Sequence, residues 1–138
     1  MSQLTNYAED LVVQFFFRTG TPTKPSVLAF ALFTAAPGEA GGGTEATWTN
    51  YTRPTLNPGD ANWAATSGGN GQTSNLSAIT YSAPGSGPQT MTHMAILDSA
   101  TIGAGNMLLQ GALTNSRVLN NGDAAPSYAI GAITITVA

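Results

Sequence analysis

The sequence predicts a mainly β protein: an antiparallel sandwich or barrel of about seven to eight strands with one N-terminal amphipathic helix. Two patterns carry this expectation. Leu4, Tyr7, Ala8, Leu11, Val12, Phe15 and Phe16 recur on one face of a helix. From residue 26 onward, short apolar or alternating runs are separated by Gly, Pro, Asn and Ser at the regular spacing of antiparallel folds. At 138 residues the chain is expected to form a single domain, 1–138, with segment 1–20 as a helix packed on or beside a β-domain of residues 26–138.

Each element has a local reason. Ser2 or Thr5 can cap the helix, Glu9 and Asp10 lie early in it where the dipole favours negative charge, and Arg18 followed by Gly20 marks its end. Pro22 and Pro25 make residues 21–25 an extended connector. Residues 26–34 are apolar on both faces, with Leu28, Phe30 and Leu32 opposite Val27, Ala29, Ala31 and Phe33. This is the pattern of a strand covered on both sides, and the helix is a natural cover for one of them. Residues 35–44 form a glycine-rich loop.

Residues 48–53 read as a strand, with Trp48, Asn50 and Thr52 on one face and Thr49, Tyr51 and Arg53 on the other, ended by Pro54 and Pro58. Residues 62–65 are a short strand or a turn, and residues 66–74 a loop expected to be mobile or partner-bound. Runs 76–81, 91–98 and 107–113 read as strands, joined by loops at 84–88 and 101–106. Asn121-Gly122 signals a hairpin between 117–120 and a strand beginning at 127. Ile133, Ile135 and Val137 alternate with Thr134 and Thr136 in a half-buried closing strand.

Hydrophobic residues make up 42% of the chain, but charged residues only 8%, far below the quarter or so of a typical soluble domain. Weak repulsion between copies favours close packing in an assembly. The basic residues Arg18, Lys24, Arg53 and Arg117 are scattered, so no groove for phosphates can be built from neighbouring positions and nucleic acid is not an expected partner. The absence of cysteine removes disulfides and thiolate metal sites. No signal peptide is expected at the start, and the apolar run 27–33 is too short to span a bilayer, so no membrane partner is expected either.

Little here performs chemistry, and no catalytic residue, cofactor or metal site is expected. His93 is the one histidine, and on a strand Asp98 would project from the opposite face. Glu39, Glu45, Asp60, Asp98 and Asp123 lie in loops or at strand ends without an apolar setting to raise a pKa. Trp48, Tyr51, Trp63 and Tyr81 are expected to fill a core or interface, with a sugar-stacking platform centred on Trp48 and Trp63 as the alternative. Phe15, Phe16 and Phe17 widen the apolar stripe of the helix beyond what one sheet face needs. The helix is expected to pack largely on its own sheet while lending part of its surface to another subunit.

The order of these signals resembles a known family. It comprises residues 28–45, "LAFALFTAAPGEAGGGTE", then Tyr51-Thr52-Arg53, "MTHMAILD" at 91–98, "LQGALT" at 109–114 and "VLNNGD" at 118–123, before the closing Ile-Thr-Ile-Thr. The chain is similar over nearly its whole length to small tailed-bacteriophage virion proteins, tail-fibre or capsid-decoration (cement) proteins. It departs from them at 55–71, which is longer and richer in Gly and Asn. The resemblance implies a non-enzymatic structural protein of the virion, made in the host bacterial cytoplasm, and a homo-oligomer for which a trimer is expected. Its partners would be the major capsid protein or tail proteins. The expected interface combines Leu11, Phe15 and Phe16 with Gly41, Gly42 and Gly43, whose bare backbone allows close approach.

Overall fold

The computed structural model describes residues 3–66, 69 and 71–137. The chain runs β1 (Gln3–Leu4), α1 (Asn6–Phe17), β2 (Ala29–Ala35), β3 (Thr44–Glu45), β4 (Gln72–Ser74), β5 (Ile79–Thr80), β6 (Gln89–Leu97), β7 (Met107–Leu119), β8 (Ser127–Tyr128) and β9 (Thr134–Thr136). One antiparallel sheet has the order β1-β7-β6-β2-β3, and β4 pairs with β9 and β5 with β8. The protein is therefore mainly β with one N-terminal helix, as its sequence predicts. The large sheet ends at β1 and β3 without closing into a barrel.

β2 is apolar on both faces because both are buried. Phe30 and Leu32 enter the main core, while Ala31 and Phe33 join Ala95, Leu97 and Met107 on the other face. The main core is completed by the two short ladders, which bring Ile79, Ile135 and Tyr128 against the large sheet. Asn75, fully buried, fastens this layer. Its Nδ2 donates to the carbonyls of Ser77 (2.8 Å) and Ala129 (2.9 Å), and its Oδ1 accepts from the Ile133 amide at 2.9 Å. A buried amide satisfied on both ends in this way locks the 129–133 turn onto β4.

Several sequence expectations need correction. Residues 48–53 are not a strand. Asn50 has φ 71° and the Tyr51 amide bonds back to the Trp48 carbonyl at 2.9 Å. This turn brings Trp48 and Tyr51 to one side, with ring centroids 4.7 Å apart. Residues 120–123 do turn, with the Asn120 amide donating to Asp123 Oδ2 at 2.8 Å. They make no hairpin, because the Pro126 carbonyl accepts from the Tyr81 amide and delivers β8 to β5 rather than to β7. The segments expected at 107–113 and 117–120 are one strand, β7, interrupted where Thr92 alone opposes residues 113–116. The loop expected at 66–74 ends in β4, and residues 67, 68 and 70 within it lie outside the described residues.

The helix also differs from expectation. It does not cover β2. β1 and Thr5 fix its start beside β7, on the far edge of the sheet from β2, and only its first turn reaches the border of the second buried face. Among the described residues of α1 only Ala8 is buried.

Burial raises the pKa of both Tyr51 and Tyr81 above the ordinary 10.0. Above that pH the unfolded chain releases protons that the folded chain retains. Their contribution to stability is therefore complete below pH 10.0 and declines as the pH rises beyond it. The part of the tyrosinate absorbance that is lost in Tyr81→Phe is expected to appear together with loss of near-ultraviolet circular dichroism, not ahead of it. The Tyr81 hydroxyl has no partner among the described residues. Tyr81→Phe is accordingly expected to match the parent at neutral pH or exceed it by up to about 1 kcal/mol, and to flatten the alkaline decline.

Candidate assembly surface

Helix α1 is held by its first turn. Thr5 caps it: Oγ1 accepts from the Ala8 amide at 3.5 Å and also donates to the Met107 carbonyl. The Thr5 amide donates to Leu108 O (3.1 Å) and the Asn6 amide to Glu39 O (3.0 Å), so the helix start is tied to β7 on one side and to the 35–43 loop on the other. Beyond that turn it stands clear of the sheet. Val12 and Val13 are 40% and 45% exposed, and Phe15, Phe16 and Phe17 are 66%, 69% and 79% exposed. Phe15 and Phe16 meet edge to face at 5.0 Å. The connector doubles back along the helix at Gly20, where a Cβ would fall 2.5 Å from Gln14 Oε1.

At the base of the helix lies a cleft of about 450 Å³. Its walls include two glycine loops, 41–43 and 103–105, with Phe33, Leu97 and Met107 beneath and Tyr7 beside them. Glycine is required at two of these positions. Gly43 has φ 79°, and a Cβ there would meet Ala35 O at 2.8 Å; Gly105 has φ 87°, and a Cβ there would meet Ser99 Cβ at 2.5 Å. Around Gly41 and Gly42, by contrast, a side chain would meet nothing within 4 Å, so that rim is bare backbone open to a partner.

Both walls are braced from inside by Arg53, 6% exposed. Its Nε and Nη2 grip Glu45 Oε1 and Oε2, each at 2.7 Å, in a two-pronged ion pair. Its Nη1 donates to the carbonyls of Ser99 (2.9 Å), Thr101 (2.8 Å) and Ala104 (3.0 Å). Glu45 Oε1 also accepts from the Tyr51 hydroxyl at 3.1 Å, and that hydroxyl accepts from the Leu32 amide at 3.0 Å. Hydrogen bonding to Glu45 raises the Arg53 pKa further still, so the cation is permanent. Sequence reasoning grouped Arg53 with the scattered cations and Glu45 with the solvated carboxylates. The one available signal was the Tyr51-Thr52-Arg53 segment.

The expected interface residues fall into one region. Phe15 and Phe16 lie on the free part of α1, Leu11 is half-buried between them and the base, and Gly41, Gly42 and Gly43 flank the cleft that Tyr7 borders. Trp48, Tyr51 and Tyr81 fill the core, as expected, and the alternative of a platform centred on Trp48 and Trp63 does not form. Trp48 is 2% exposed, enclosed by Tyr51 and Tyr81, and donates its Nε1 to Ser82 Oγ at 3.3 Å, so neither ring face is available to a sugar. Trp63 is half-buried, stacked on Phe30 at 6.2 Å beside a separate hollow of about 640 Å³. His93 Nδ1 lies 2.9 Å from Thr92 Oγ1, while the Asp98 carboxylate is taken by the amide (2.6 Å) and Nδ2 (2.9 Å) of Asn106. Among the described residues no three His, Asp or Glu side chains gather as metal ligands.

The model of a family described as "Podophage GP4 fiber I protein gp80" matches residues 3–136. No curated protein matches the chain.

Removing Arg53 would leave Glu45 without its cation and three loop carbonyls without their donor. Arg53→Met is expected to cost about 3–5 kcal/mol in denaturant unfolding. Arg53→Lys should cost less, because it keeps the charge and loses the fork.

Proposed function

The chain belongs to the podophage GP4 fiber I protein gp80 family, and from that membership we propose a homo-oligomeric, non-enzymatic subunit of a fibre-like tail appendage, not a capsid-decorating cement subunit. A phage fibre protein is a structural component of the virion and associates with other virion components. The observation that carries the finer reading is α1. From Leu11 to Phe17 the helix is apolar on nearly every side but Gln14, the pattern of a buried helix, yet Phe15, Phe16 and Phe17 are mostly in water. The remainder of the protein is small, polar and nearly uncharged, which suits dense packing among neighbours. On this reading α1 and the glycine-rimmed cleft at its base are the surface by which the subunit is held. Stability of the assembly comes from buried area repeated over many copies.

The same residues separate holding from folding. Because the phenylalanines contribute little to the protein's own core, Phe15→Ser combined with Phe16→Ser is expected to leave the melting temperature within a few degrees of the parent. Particles produced with the double variant are expected to lack the subunit when their protein content is weighed by mass spectrometry. Full incorporation would refute the assignment of this surface, and imaging of whole particles would show whether the density lies on tail or capsid.

A second reading, recognition of host-surface glycans, is supported by Trp63. Its partly exposed ring borders the hollow that Lys24 and Asp60 also line, so an aromatic face and polar groups share one site. Loss of glycan-array binding in Trp63→Ala would support that role, and an array silent with the parent protein would remove it.

A further inference from the structure

We propose a binding site for a medium-chain fatty acid in the mouth of the main core, between β7 and the 128–135 segment, with Arg117 holding the carboxylate. The site is separate from the assembly surface: among the described residues no side chain of α1 lines it.

The first observation is an opening. Between the large sheet and the layer that carries β8 and β9 lies a hollow of about 340 Å³. Leu109 and Leu113 of β7 form one wall, and Ile133 and Ile135 form the other. Gly111 stands between the two leucines, paired with Met94 on β6, and puts no side chain into the gap. These aliphatic groups belong to the main core or pack against it, so the hollow is that core left unfilled at one edge. Its volume is near the lower end of the roughly 300–1,000 Å³ of small-molecule sites, room for one short chain and not for a two-tailed lipid.

The second is a lone cation. Arg117 lies opposite Met91 in the ladder, on the core side of the sheet, and lines the hollow. It makes no ion pair among the described residues, where the fork of Arg53 on Glu45 is the one salt bridge, and no described Asp or Glu lines the hollow. Tyr128, also on the wall, has its hydroxyl within reach of that charge: burial raises its pKa and Arg117 draws it back. A guanidinium and a phenol hydroxyl therefore share one end of an apolar hollow.

The third is the match of charge to body. One guanidinium balances one carboxylate, whose two oxygens suit its planar fork. A phosphate monoester carries about −1.5 to −2 at neutral pH and would be left partly unbalanced. A sugar acid would press its hydroxyls against leucine and isoleucine, where a buried hydroxyl without a partner is costly. A saturated chain meets those walls without such a loss, and its acid group is left at the end that holds Tyr128 and Arg117.

Sodium octanoate is the probe. Titrated into the full chain, it is expected to shift the methyl resonances of Met94, Ile133 and Ile135 saturably and to leave those of Val12 and Val13 in place. Each buried methylene is worth about fourfold in affinity, so hexanoate should bind roughly fifteenfold more weakly. 1-Octanol, with the chain and no charge, should bind about tenfold more weakly than octanoate. Arg117→Gln should bring octanoate down to the level of 1-octanol. Its melting temperature should stay within a few degrees of the parent, since Arg117 is exposed and outside the salt bridge. Absence of saturable shifts at the three residues, equal binding of hexanoate and octanoate, or parental octanoate binding in Arg117→Gln would each overturn the site. So would tighter binding of glucuronate or of a leucine-terminated peptide than of octanoate, because the body recognised would then be a polyol or a chain end.

Discussion

The fork between Arg53 and Glu45 is the constraint on which this molecule turns. In a chain with so few charges, it spends one cation and one anion inside, 2.7 Å apart. From that point the pair fastens three regions that share no strand pairing. Glu45 belongs to β3, the carbonyls of Ser99, Thr101 and Ala104 to the loop before β7, and Tyr51 to the aromatic group of the main core. Removing two charges from water is costly, so such a pair rarely adds much net stability over well-packed apolar side chains. What it supplies here is position: two glycine loops with little intrinsic preference are held at a fixed separation.

Given that frame, the core and the helix draw on different residues. The core is made by β2, β6 and the two short ladders, with Asn75 sealing the layer from the other side. The helix adds only Ala8 to the buried residues of the body, and its own stability rests on the Thr5 cap and on the connector lying against it. A helix of 12 residues is marginal in isolation, so an apolar helix standing clear of its sheet is best understood as one element of a larger packed unit.

How much of this was legible depended on how local the cause was. The double-sided burial of β2 and the helix itself follow from side-chain periodicity, and both can be read in the chain. Periodicity shows which face is apolar but not what covers it: the surplus of Phe15, Phe16 and Phe17 marked part of the helix as surface, while how little of the helix packs on its own sheet was not legible. The Arg53 fork was hidden because its partners lie on both sides of a turn and a loop, from Glu45 to Ala104. Trp48 was misplaced because the left-handed Asn50 reverses alternation in a stretch whose composition otherwise suits a strand. The Asn-Gly turn was correctly seen, but its consequence was decided far away, at the Pro126 carbonyl.

The interruption of β7 opposite Thr92 has a consequence for how the protein survives crowding. Past Gln110 the outer edge of this long strand faces no other strand among the described residues, a row of backbone donors and acceptors open to water. Uninterrupted, it would be a template for indiscriminate strand addition. The extra residues at 113–116 kink the ribbon and spoil its hydrogen-bond spacing, and Thr114, Asn115, Ser116 and Arg117 dress it with polar side chains. The protein is thereby shielded from fibrillar clumping, and the choice of neighbour is left to side chains, which can discriminate, instead of to main chain, which cannot.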